Sequence, residues 1–103
     1  MITHIVMWKL KEIAEDRTKA ANAEIIKNNL EGLSKVIPQI KYIEVGINGD
    51  KGSSNNYDVV LISKFESFDD LEIYQKHPAH KEIGDFVGKV RDQRACVDYI
   101  TEA

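Results

Sequence analysis

Three histidines and one tyrosine carry most of the chemistry this chain could perform. His77 and His80 flank Pro78-Ala79 in the stretch YQKHPAHKEIGDF, Tyr74 opens that stretch, and His4 lies in the first apolar run. An imidazole titrates near neutrality, and beside a phenol it can take a proton from a carbon next to a carbonyl. Spacing from His80 to Ile83 and Val87 turns its ring inward on a helix that Pro78 starts. Gly84, one turn later, removes a side chain from the same face and leaves space beside the ring. The expected cavity is therefore lined by His4, Val6, Trp8, Leu61, Tyr74, His80, Ile83 and Gly84. In the competing reading, His80 is a core histidine satisfied by the Tyr74 hydroxyl. His77 is read as a helix boundary. A metal held by His77, His80 and His4 is not expected, because a helix break separates the pair and no cysteine or buried acid joins them.

Elements must position these groups, and composition limits what surrounds them. The chain has 103 residues, enough for a single domain over 1–103, with 43% apolar and 30% charged residues. Its net charge is −3, without a basic run, so neither nucleic acid nor an anionic membrane is an expected partner. The opening MITHIVMWKLKEI reads as a strand rather than a signal peptide, and no apolar run reaches membrane-spanning length. Cys96 is the single cysteine, which points to a reducing cytoplasm and, within a strand, to a small buried hydrophobe.

Residues 3–10 alternate as a strand, with His4, Val6, Trp8 and Leu10 on one side. Residues 11–15 are a charged connector, and Asp16 is read as a helix cap. Ile26, Leu30, Leu33 and Ile37 recur at helical spacing, with Glu31 and Lys35 paired outside, until Pro38 stops the helix. Residues 40–47 read as a strand, and 48–56 as turn chemistry. Residues 57–65, YDVVLISKF, are the most apolar strand, suggesting burial on both faces. Ser67 and Asp70 form a capping box for a short helix through Tyr74; a second helix follows Pro78, and residues 95–101 close the chain as a strand. Glu44 and Asp98 are strand acids expected at rims.

This order is βαββααβ, an α+β ferredoxin-like pattern with a four-stranded antiparallel sheet and the first and third strands central. Both helical elements cover one face. On the other lie Ile5 and Met7 from the first strand and Val60 and Ile62 from the third, with Lys9, Asp58 and Lys64 towards the ends. An apolar centre without cover predicts a homodimer closed by two such faces. An RNA-recognition reading of this topology fails, because the third strand lacks the aromatic and basic residues that stack bases.

The strand HIVMWKLK, the YDVVLISKFES strand running into a helix, the HPAH step with Gly84 after it and the closing VDYI resemble the stress-responsive A/B-barrel (Dabb) family. The resemblance spans almost the whole chain and implies a dimeric α+β barrel. Its best-defined member activity is that of a plant polyketide cyclase, which works by aldol chemistry without metal or organic cofactor. On that pattern Tyr74 and His80 match the catalytic pair and His4 matches a first-strand pocket histidine. Val59 stands where the cyclase has a further pocket histidine, and Leu30 where it has a tyrosine. The resemblance thus implies a cofactor-free lyase or cyclase with a reduced set of polar groups around its substrate. A monooxygenase-like member of the wider superfamily, or a purely structural stress protein, are the alternatives.

Overall fold

The computed structural model describes residues 1–102. Strand β1 (Ile2–Leu10) runs into a two-stranded ribbon, β2 (Ile13–Ala14) and β3 (Arg17–Thr18). Glu15 and Asp16 form the tip of this ribbon with φ of 51° and 61°. Positive φ at both central residues is the geometry that matches the twist of a two-residue hairpin. Asp16 is consequently spent on the turn, and the cap of helix α1 (Lys19–Gly32) passes to Thr18, which accepts the Ala21 N–H at 3.2 Å. The expected Asp16 cap is corrected on that ground.

Ala23, Ile26 and Leu30 of α1 are buried against the sheet. A 3₁₀ turn, Leu33–Lys35, ends the helix and moves Lys35 away from the position one α-turn beyond Glu31. Glu31 pairs instead with Lys27 at 2.8 Å and accepts the Val45 N–H at 3.0 Å, pinning α1 to strand β4 (Tyr42–Ile47). The Lys27 ammonium, the largest cause, holds the Glu31 carboxyl below its ordinary range.

Strand β5 (Val59–Phe65) is followed by helix α2 (Phe68–Lys76), whose cap Ser67 accepts the Asp70 N–H at 3.1 Å. His77 ends α2 and caps helix α3 (Pro78–Val90), its Nδ1 accepting the Ala79 N–H at 3.1 Å. Pro78 then starts α3, where its missing N–H costs nothing. Strand β6 (Arg91–Ile100) begins directly where α3 stops, four residues earlier than the sequence pattern suggests.

The sheet order is β4-β5-β1-β6, all antiparallel, so the fold is α+β and ferredoxin-like with β1 and β5 central. Val59, Leu61, Ser63 and Phe65 of β5 face the helices and are fully buried. Val60, Ile62 and Lys64 alternate with them and are only half-buried. Burial of β5 on both faces is therefore corrected within one chain: the helices reach one side alone. Among the described residues, no helix is long and apolar enough to cross a membrane.

Candidate functional site

Between the sheet and α3 lies a cavity of ≈220 Å³. By proportion to the ~150 Å³ cavity that accepts benzene, it suits a molecule of about nine non-hydrogen atoms. The sheet contributes His4, Val6 and Trp8 from β1 and Leu61 from β5; α3 contributes His80, Ile83, Gly84 and, one turn on, Gly88. A Cβ built on either glycine meets nothing within 4 Å, so the two absent side chains open this wall.

His4 is buried, with 2% of its surface exposed, and must satisfy its ring without water. The β1–β6 register sets it opposite Asp98, whose carboxylate accepts from His4 Nδ1. That bond leaves Nε2 as the nitrogen available to a ligand. The Cys96 sulfur lies 3.9 Å from the same Nδ1 and from Asp98 Oδ1. Burial first and the Asp98 carboxylate second push the thiol pKa up, so Cys96 is a protonated thiol rather than a nucleophilic thiolate. It is exposed on the edge strand, which corrects its expected burial. His4, Cys96 and Asp98 have ligating atoms within 4.8 Å of one another, a donor set of metal-binding type, but Nδ1 is already engaged with the carboxylate.

His80 packs on Tyr74 with ring centroids 4.5 Å apart and planes inclined by 57°. Tyr74 in turn stacks on Phe65 at 4.9 Å and presents an edge to His4 at 6.2 Å. No hydrogen bond joins Tyr74 and His80: Tyr74 Oη and His80 Nδ1 are both buried without a partner among the described residues. The expected hydroxyl–imidazole bond is corrected to ring packing. Tyr74 itself is 0% exposed and does not line the cavity; Phe65 and His80 enclose it. Burial alone raises its pKa well above the ordinary phenol value, so the hydroxyl stays protonated. Burial is also the main cause lowering the pKa of His80, opposed by a backbone group of Gln75 and aided by His4 and Arg94. The neutral, proton-accepting ring is therefore the dominant form at pH 7.

Val59 lies on the same sheet face as Leu61 but does not line the cavity. It is paired between Trp8 and Ile47, two residues and thus about 7 Å further along the strand. Leu30 does contribute to the wall. Sequence reasoning missed Gln75, Gly88, Arg91 and Arg94, which together with Val87 complete the lining, and it placed Asp98 at a rim without its partner. The pairing of His4 with Asp98 spans 94 positions, so no local pattern announces it.

The chain matches the model of the stress responsive A/B barrel domain over residues 2–101. It is 32% identical to a stress-response A/B barrel domain-containing protein of Arabidopsis thaliana over 99% of its own length, spanning 37% of that relative. Among solved structures it superposes on a dimeric protein of unknown function and ferredoxin-like fold from Bacteroides fragilis. There the TM-score is 0.81, the identity 33%, and the coverage 95% of this chain and 93% of that one. It also superposes on the hydroxynitrile lyase of Passiflora edulis with a TM-score of 0.78, covering 98% of this chain and 93% of the lyase. At 17% identity, that second likeness is one of fold.

Proposed function

The chain belongs to the stress-responsive A/B barrel domain family, and from that premise we propose that it is a homodimeric, cofactor-independent catalyst of proton transfer beside a carbonyl, of lyase or cyclase type. The observation that carries this reading is a small cavity into which two histidines of different supports converge. His4 is fixed by Asp98, and His80 is desolvated and neutral. In the proposed step the His80 imidazole takes the α-proton of a bound carbonyl compound. The C–H electron pair forms the C=C bond of an enolate as the carbonyl π pair moves onto oxygen, and the enolate is reprotonated or attacks a second carbonyl. His4, its Nδ1–H held by Asp98, presents an unprotonated Nε2 that accepts a hydrogen bond from a donor group of the substrate as the second polar group. Tyr74 acts from behind as a packing platform that sets the His80 ring, a positioning role in place of direct contact.

The homodimer is supported by the half-buried apolar row Ile5, Met7, Val60 and Ile62, flanked by exposed Val97 and Tyr99. The dimeric description of the Bacteroides fragilis relative points the same way. A single unpaired thiol suits a reducing cytoplasm.

Hydrogen–deuterium exchange at the methyl group of acetophenone, followed by proton NMR in heavy water, tests the reading. General-base catalysis is worth roughly 10²–10⁴-fold, so His80→Ala should lower protein-catalysed exchange by about 100-fold or more. A denaturation curve for the same variant should remain close to that of the parent. Unchanged exchange in His80→Ala, or a loss of a few kcal/mol in stability with ligand affinity retained, would make His80 a core residue and end the proposal.

A further inference from the structure

Residues three apart on a strand ordinarily point to opposite faces. Arg91 and Arg94 do not. The β1–β6 register pairs Trp8 with Arg94 and Lys9 with Gln93, then shifts so that Leu10 meets Arg91 and Asp92 is left as the extra residue. Trp8 and Leu10 lie on one face, the buried one, and the bulge brings both arginines to that face. Bulges next to sites characteristically re-aim a side chain in this way. Both arginines line the cavity that His80 lines.

Their electrostatic setting is unusual for this molecule. The whole chain carries a net charge of −3, yet among the described residues no aspartate or glutamate lines the cavity. Among the described residues, neither Arg91 nor Arg94 has a carboxylate within salt-bridge distance. Asp98, on the same strand, is engaged by His4. Two permanently charged, planar donor groups thus stand at the end of an apolar pocket without an internal counter-ion. Guanidinium groups so placed match a carboxylate, which accepts two parallel N–H bonds from one fork.

We propose that the cavity selects a small carboxylate, a one-ring acid of about nine non-hydrogen atoms, its ring between Trp8 and Ile83 and its anionic end at Arg91 and Arg94. This assigns a substrate class to the pocket and rests on reading that pocket as a ligand site. The bulge at Asp92 is then a specificity device, since a regular strand would turn Arg91 away. The sheet and α3 hold the ring, and the edge strand reads the charge.

Calorimetric titration of the full chain with benzoate and with its neutral isostere benzamide tests the proposal. Benzoate should bind at least tenfold more tightly at low salt, and the preference should shrink as ionic strength rises. Arg91→Gln and Arg94→Gln, both at exposed positions, should each weaken benzoate by about tenfold and leave benzamide within twofold. Equal affinity for the two probes, an unchanged ratio in both variants, or no binding of either at millimolar concentration would overturn it. The outcomes separate from those of the proton-transfer reading. Acetophenone exchange that depends on His80 without a benzoate preference removes only the anion site. A benzoate preference without exchange removes only the chemistry.

Discussion

Strands β1 and β6 lie side by side, and on one face their residues are paired one to one: His4 with Asp98, Val6 with Cys96, Trp8 with Arg94. The β1 members are 2%, 2% and 7% exposed, whereas all three β6 members are exposed. Both are antiparallel strands of one sheet, β1 central and β6 at its edge. The difference is cover, for α1 and α3 pack over the centre of the sheet and leave its edge to solvent. The candidate site lies on that boundary, where a buried imidazole can be satisfied by a carboxylate that is itself partly hydrated. Burying both groups would incur the desolvation of a charge, and exposing both would lose the orientation. The opposite face shows the same gradient, from half-buried Ile5 and Met7 to exposed Val97 and Tyr99.

The largest effect should come from breaking the difference between covered and open faces. Val60→Asp sets a charge in the row proposed to close the dimer, and it should cost several kcal/mol of dimer stability through an unpaired buried carboxylate. Light scattering should show the variant as monomer at micromolar concentration where the parent is a dimer. A parent that is a folded monomer under those conditions would mean that the open face stays open.

A smaller effect should follow from severing the bond across the boundary. Asp98→Ala leaves His4 Nδ1 buried and unpaired, which should cost about 1–3 kcal/mol. Chemical denaturation reads that loss, and the acetophenone assay should fall with it because the ring is no longer held. Asp98→Asn can still accept from Nδ1 and should recover most of the stability. Equal losses in the two variants would show that the carboxylate matters for its charge rather than as an acceptor.

The smallest effect is in pH dependence. Burial depresses the folded-state pKa of His80 below its ordinary 6.5. Between that lowered value and 6.5 the unfolded chain binds more protons, so stability rises with pH across this window and falls as the solution is acidified from 6.5. His80→Gln should flatten the slope there. A slope of equal size in His80→Gln would assign the effect to other groups.

Local signals carried the elements and their order. Ser67 before Asp70 capped α2, the His77-Pro78 step divided the helices, and period-two alternation set the buried side of β1. Errors arose where two local solutions competed. Asp16 can cap or turn, and its neighbour Glu15 shares the left-handed turn, so Thr18 became the cap. Glu31 has lysines on either side, and the 3₁₀ turn at Leu33 left Lys27 as its partner. His80, Ile83 and Gly84 could be placed at the cavity because helical spacing is a local property. Val59 and Tyr74 could not be placed correctly. Strand parity gives a face but not the distance along it, and inward spacing does not distinguish a wall from the layer behind.

The βαββααβ order, the Ser67 cap, the His77-Pro78 break and the apolar side of each element are legible in the residues alone, since these follow from backbone sterics and side-chain periodicity within a few residues. That Asp98 holds His4, that Tyr74 lies behind His80 and that a bulge turns Arg91 to the side of Arg94 came from the assembled fold alone. Each depends on the register between elements far apart in the chain. Register is set by the sum of packing across the whole sheet, and a shift of one residue changes which side chains face the cavity.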